Sequence, residues 1–378
     1  MKRLKVGISF FSNYKTWAGG VIYILNIISS LYLLPDELKP ELFIYYNRDS
    51  PISDIEKIQY PYIKFFEFKQ YPPSTLKKIL NYIFIKVFNG TFFFNEKPDL
   101  VYPYVKYLCY GNRCIFWIPD FQEYYYPDLF SKEDIRARMK RHVYISKNSK
   151  GIVVFSSQDA TNDFKKFYPD YKCTTALVRF ACILPEFKHI SLDSIRARFG
   201  IRKKFFMITN QFWAHKNHKV VLEAVNELKD KKLDFQIVLT GSTRDKRNPF
   251  FFDSLMEYIS LNNISEYFVF LGFIEREEQL KLMDEALAII QPSLFEGWST
   301  VVEDAKALSQ NIILSNLSVH REQISENCRF FDPHNFIQLS SIMEEIIANK
   351  PERLLIDYSQ NIKRFGEEFL DVLSSIEK

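Results

Sequence analysis

The chain has 378 residues, 47% of them hydrophobic and 25% charged, which suits two globular domains with buried cores. Its five Cys (109, 114, 173, 182 and 328) form no C-x-x-C pair, which argues against a disulfide framework or a zinc ribbon and suits a reducing cytoplasm. The charge is uneven: residues 1–180 hold 26 Lys and Arg against 17 Asp and Glu, a net of +9, and residues 181–378 hold 24 against 29, a net of −5. That asymmetry points to an acidic partner for the first half: phosphate, anionic lipid or nucleic acid.

The start, MKRLKVGISFF, is too short an apolar run for a signal peptide and leads straight into a folded pattern. No run of 18 apolar residues occurs, so no spanning helix is expected. KVGISFF (5–11) is a first strand, followed by Gly19-Gly20 and by VIYILNIISSLYLL with helical spacing. ELFIYYN (41–47), IKFFEF (63–68), DLVYPYV (99–105), RCIFWIP (113–119) and GIVVFSS (151–157) continue as strands, and 132–148 reads as a helix. Around 180–202, Pro185 and charged residues mark a hinge. A second series follows: KKFFMITN, DFQIVLTG, YFVFLGF and LAIIQPS as strands with helices between, then NIILS (311–315) and CRFFD (328–332). From about 352 the chain reads as an amphipathic helix. Strands alternating with helices predict parallel sheets. Two such halves predict a ligand site in the cleft between them, at the carboxyl ends of strands.

Three stretches carry candidate chemistry. Gly19-Gly20 opens a helix after the first strand, where backbone approaches a ligand closely and free N–H groups face an anion. There is no G-x-G-x-x-G, so a dinucleotide fingerprint is excluded, and an ordinary βα turn is the plainer account. NQFWAHKNH (210–218) ends the first strand of the second half and places Lys216 where a phosphate can be neutralised. Its flanking His215 and His218 lack a third metal ligand. AIIQPSLFEGWSTVVEDAKAL is the third. Gly297 permits a tight turn, Ser299 or Thr300 is a natural N-cap, and the N–H groups of 299–302 face an anion such as a diphosphate. Glu303 favours the helix dipole, or accepts bonds from two ribose hydroxyls. Glu296, ending a buried strand, is placed to face sugar hydroxyls.

PSLFEGWSTVVEDAKAL resembles the signature of the family-four retaining glycosyltransferases of GT-B fold. FSNYKTWAGGVIYIL resembles the N-terminal glycine loop of that family, and NQFWAHKNHKVVLEA its phosphate-binding lysine stretch. YFVFLGFIEREEQLKLMDEALAIIQPS resembles its base-binding loop, with Phe273 at the base. NIILSNLSVHREQI and NIKRFGEEFLDVL resemble the segment after the second glutamate and the closing helix. Two departures stand out: six residues (GWSTVV) separate Glu296 from Glu303 where the family has seven, and Gln211 stands where the family often has Arg.

The resemblance implies two Rossmann-like domains facing each other across a cleft: residues 1–185 for the acceptor, 186–355 for the nucleotide-sugar, and a helix at 356–378 crossing back to the first. It implies retaining transfer from a GDP-, UDP- or dTDP-sugar to a glycan or polyprenyl-diphosphate-linked acceptor, in surface polysaccharide or lipopolysaccharide synthesis. Glu296, Lys216 and Asp120 are the implied catalytic residues; Asp120 is equally a turn residue after Pro119. Gly19, Gly20, Gln211, Lys216, Phe273, Gly297, Trp298, Ser299, Thr300, Val301 and Glu303 are the implied donor-binding residues. Amide dipoles and one ammonium would stabilise the departing diphosphate. The chain has no D-x-D, which favours a reaction without metal or other cofactor. KKILNYIFIKVFNGTFFF (77–94) mixes Lys with apolar residues as a membrane-surface helix does, although a core helix with a strand behind it fits as well. The expected location is the cytoplasm, at the inner face of the membrane. The alternatives are another GT-B enzyme, such as an epimerase, and a non-catalytic basic module or scaffold; no RNA-binding motif supports the latter.

Overall fold

The computed structural model describes residues 3–69, 73–88, 96–105, 108, 114–245 and 247–375. Contacts divide the chain into two compact units. The first comprises Met1–Phe121, Arg136–Ile183 and Ser359–Lys378; the second comprises Gln122–Ile135 and Leu184–Tyr358.

In the first unit, β1 (Lys5–Phe10), β2 (Glu41–Tyr46), β3 (Ile63–Glu67) and β4 (Leu100–Tyr102) pair in parallel in the order β3-β2-β1-β4. A further parallel set, β5 (Cys114–Trp117), β6 (Gly151–Phe155) and β7 (Thr174–Leu177), lies in sequence order. Tyr104 N donates to Ile115 O at 2.8 Å and carries the chain from β4 to β5. β2, β4, β5 and β6 read as apolar runs because parallel sheets are covered on both faces: Phe43, Ile44, Val101, Ile115, Val153 and Val154 are all buried. β7, TTAL, escaped the sequence because it has neither an apolar run nor a clean alternation.

The first helix, Tyr14–Tyr32, is broken at Trp17, whose backbone leaves helical values. The Trp17 indole folds back onto the helix, so a Cβ on Gly20 would lie 2.4 Å from the ring. Trp17 stacks on Trp117 (5.4 Å between centroids), and Trp117 stacks in turn on Tyr23 (4.2 Å). The last helix, Ser359–Ser374, buries Phe365 and Phe369 in this unit. Its Gly366 faces the Ser30 carbonyl, to which a Cβ would come within 2.9 Å. That helix starts later than its pattern suggested. Residues 351–357 are not helical because side chains take their backbone groups: Asn327 clasps Leu354 N and O (2.8 and 2.7 Å), and Ser309 Oγ accepts from Ile356 N (3.0 Å).

Helix Thr75–Phe88 is turned against its own pattern. Asn81 is wholly buried, while Leu76, Ile79, Leu80, Tyr82, Ile83 and Val87 are exposed. Residues 89–95, where a strand was the alternative, lie outside the described residues.

In the second unit six parallel strands form one sheet: β8 (Phe205–Ile208), β9 (Gln236–Thr240), β10 (Phe268–Gly272), β11 (Ile289–Gln291), β12 (Ile312–Ser315) and β13 (Cys328–Phe331). Their order is β10-β9-β8-β11-β12-β13. Chain direction across the sheet therefore reverses between β8 and β11, and the crevice outside their carboxyl ends is the expected ligand site of such a sheet. Apolar clusters cover both faces, one around Phe206, Val225, Phe235 and Met343, the other around Met207, Leu280, Val302 and Leu314.

Candidate functional site

The loop after β8 is shaped by its own polar residues. Asn210 Nδ2 donates to Gln291 Oε1 at 2.8 Å and ties the end of β8 to the end of β11. A single 3₁₀ turn, Ala214–Lys216, ends on Asn217, which adopts the left-handed conformation (φ 55°) that Asn tolerates. Asn217 Nδ2 donates to Pro292 O (3.1 Å) and Pro333 O (2.8 Å), and Leu294 N donates to His215 O (2.8 Å). Three of these hydrogen bonds thus hold the β8 loop against β11 and the loop after it, and the fourth, to Pro333 O, ties it to the loop after β13.

That clamp brings Lys216 to Glu296. Glu296 Oε1 accepts three short bonds, from Lys216 Nζ (2.6 Å), Gln291 Nε2 (2.7 Å) and Ser293 Oγ (2.7 Å). Oε2 has no partner among the described residues. Burial by itself would raise the Glu296 carboxyl. The Lys216 ammonium, His320 and the hydrogen bonds from Lys216 and Ser293 outweigh it and hold the group below the ordinary carboxylate value. Glu296 is therefore a fixed anion and a weak base, with one oxygen committed to the protein and the other open.

Gly297 and Trp298 turn the chain into helix Thr300–Ala307. Ser299 is the N-cap, its Oγ accepting from Val302 N at 3.4 Å. Gln323 fastens the cap from behind: Nε2 donates to Ser299 O (2.7 Å), and Oε1 accepts from Ser299 N (3.2 Å). Val301 is buried and Thr300 half-buried.

Glu303 lies inside. Only 1% of it is exposed, and both carboxylate oxygens are taken, by Lys306 Nζ (3.1 and 3.2 Å), Gln323 Nε2 (2.8 Å) and the Tyr358 hydroxyl. Its neighbour Asp304 is equally buried, but only Oδ1 is engaged, by Arg276 at 2.5 Å. Sequence reasoning passed over Asp304. The signal was present: counted from Glu296, the seven-residue spacing of the resembling family ends on Asp304, not Glu303.

Three histidines surround the pair and none carries a proton at neutral pH. Burial, with Lys216 next in effect, pushes His215 and His218 down to about 3. His218 stacks flat on Phe212 at 4.4 Å. His320 is lowered by burial as well, and its Nδ1 sits 2.8 Å from Ser315 O. Among the described residues no group of three His, Cys, Asp or Glu is arranged to hold a metal ion.

The other sequence candidates fall in separate places. Gln211 lies half-buried on the β8 loop, and Phe273, 56% exposed, follows β10. Gly19, Gly20 and Asp120 belong to the first unit, where Gly20 makes room for Trp17 and Asp120 follows β5.

Residues 193–365 match the family model for glycosyl transferases group 1. Comparison with curated proteins finds no match. Among solved structures the chain is similar to HepE of Anabaena, solved with UDP and glucose (TM-score 0.66, 14% identity, covering 98% of this chain and 95% of that one). It is similar to the sucrose-phosphate synthase of Thermosynechococcus elongatus (0.65, 12%, 98% and 95%). It also resembles WaaG, a glycosyltransferase involved in lipopolysaccharide biosynthesis (0.62, 13%, 98% and 97%). The β8–β11 reversal thus lies within the stretch that matches the group 1 glycosyl transferase model, and the chain has the GT-B type of fold of these structures, with two Rossmann-like parts.

Proposed function

We propose that this enzyme moves a sugar from a nucleotide-sugar to a glycan or lipid-linked glycan acceptor in surface polysaccharide biosynthesis, with retained configuration and without a metal. The observation that carries the proposal is the pairing of Lys216 with Glu296 beside the capped start of helix Thr300–Ala307. A cation and a row of helix N–H groups stand where a departing diphosphate develops charge. Lys216 and the helix start bind that diphosphate, and Glu296 orients the sugar through Oε2. Because Glu296 is held ionised and weakly basic, its role is orientation and electrostatics, and the acceptor attacks on the face the diphosphate leaves. Asp304, with an oxygen to spare, takes the ribose hydroxyls, while Glu303 secures the helix through Tyr358 and Gln323. Phe273 covers the base, and Gly19, Gly20 and Asp120 serve from the first unit, Asp120 toward the acceptor.

A UDP-sugar is the first donor to test, because HepE is solved with UDP, UDP-glucose, and UDP with glucose. The exposed apolar face of helix Thr75–Phe88, flanked by Lys77 and Lys78, supports peripheral contact with an anionic bilayer. The test is donor hydrolysis. Purified protein in EDTA, given UDP-, GDP- and dTDP-sugars in turn, should release one nucleoside diphosphate slowly, and Lys216→Ala and Glu296→Gln should abolish the release. Release by neither wild type nor variants, or release that depends on added magnesium, overturns the proposal.

A further inference from the structure

The donor reading leaves a shortage of positive charge. A diphosphate carries at least two negative charges, yet the cations at this end of the second sheet are mostly committed. Lys216 Nζ lies 2.6 Å from Glu296, Arg276 pairs with Asp304, and Lys306 pairs with Glu303. Gln211, on the same loop as Lys216, is neutral.

The loop after β9 supplies another cation. Gly241, at the end of β9, has φ 131° and packs against the β8 loop so closely that a Cβ would sit 2.4 Å from Asn210 O. Phe212 N donates to Ser242 O at 3.0 Å, so the β8 and β9 loops are joined backbone to backbone. Seated there is Arg247. Its guanidinium carbon lies 4.9 Å from the Trp213 ring centroid and 5.5 Å from that of Phe130. Trp213 precedes the turn that bears Lys216, and its ring is 5.7 Å from that of His215. Asp245, buried, accepts from Arg247 N (2.9 Å) and Nε (3.2 Å) through a single oxygen. The grip on Nε and the two aromatic faces fix the plane of the guanidinium. Nη1 and Nη2 have no partner among the described residues, and the side chain is 26% exposed. Arg247 also figures with Lys216 among the charges that lower His215, which agrees with its being near.

We propose that Arg247 is a diphosphate-binding residue of the donor site, gripping the β-phosphate through Nη1 and Nη2. A pre-oriented planar fork with two unspent donors suits a phosphate bearing two free oxygens. Asp245 balances part of the charge when the site is empty and holds the fork in place when it fills. The inference rests on the donor reading given above.

Isothermal titration calorimetry with UDP, GDP and dTDP, and with the matching monophosphates, tests it on wild type, Arg247→Gln, Arg247→Lys and Lys216→Ala. Arg247→Gln should weaken the bound diphosphate about ten- to a hundredfold while leaving the monophosphate within about twofold. Arg247→Lys should recover part of the loss, since charge returns without the fork. If Lys216→Ala loses the diphosphate and Arg247→Gln does not, the donor site stands and this inference falls. Equal losses for mono- and diphosphate, with a lowered melting temperature in the absence of ligand, would make Arg247 a support for Trp213 alone and overturn it too. If wild type binds no diphosphate, both readings fall together.

Discussion

Replacing Lys216 by Met separates the folding role of the Lys216–Glu296 pair from its chemistry. The two side chains are 15% and 10% exposed and meet at 2.6 Å. Without the ammonium, Glu296 keeps only two neutral donors, Gln291 Nε2 and Ser293 Oγ. Breaking a fully buried pair costs about 3–5 kcal/mol; the remaining exposure reduces this to about 2–4 kcal/mol. The sign with pH follows from the causes acting on Glu296. In the wild type the cation outweighs burial and the group stays ionised to below its ordinary value, so its stabilisation is full above about 4.5 and is lost only as pH falls through the lower folded value. In Lys216→Met, burial, the largest single influence, is no longer opposed by that cation, and the carboxyl moves up. The penalty is then largest at pH 7 and shrinks toward pH 5 as Glu296 takes up a proton. Urea unfolding at pH 7 and pH 5 measures both quantities, and adding Glu296→Gln to the lysine variant should restore most of the loss. A penalty below about 0.5 kcal/mol that does not change with pH would refute the reasoning.

His218 should make the second unit acid-sensitive. The unfolded imidazole binds a proton below about 6.5 and the folded one not until about 3, so stability present above 6.5 is lost as pH falls through that window. The contribution approaches about 1.4 kcal/mol per pH unit inside it. His218→Phe should remove about one proton from the uptake on unfolding at pH 5, and equal uptake by the two proteins would contradict the burial argument. On the first unit, Ile83→Asp combined with Val87→Asp should abolish co-sedimentation with phosphatidylglycerol vesicles without lowering the melting temperature. Undiminished sedimentation of the double variant would remove helix Thr75–Phe88 from the membrane proposal.

Much of the second unit was legible because parallel strands covered on both faces leave unbroken apolar runs, as in IIQ and IILS. Ser299 before an apolar helix identified the N-cap, since capping is a contact within one turn. The first unit was less plain. β7 carries two threonines and no apolar run, and the reversed face of helix Thr75–Phe88 has no local signature. The non-helical run 351–357 kept the composition of a helix, but its backbone groups were claimed by Asn327 and Ser309, which are distant in sequence.

The order of residues by itself determined the alternation of strand and helix, the strand ends that carry Lys216 and Glu296, and the turn at Gly297, because each depends on neighbours within one or two turns of chain. Only the tertiary structure decided which carboxylate is open and which is occupied. Glu303 and Asp304 are adjacent residues of like charge, yet a helix turns its side chains by about 100° per residue. One therefore points to Tyr358 and Gln323 and the other to Arg276. The same holds for Arg247, whose place beside Trp213 depends on two loops meeting at Gly241, a contact no local pattern encodes.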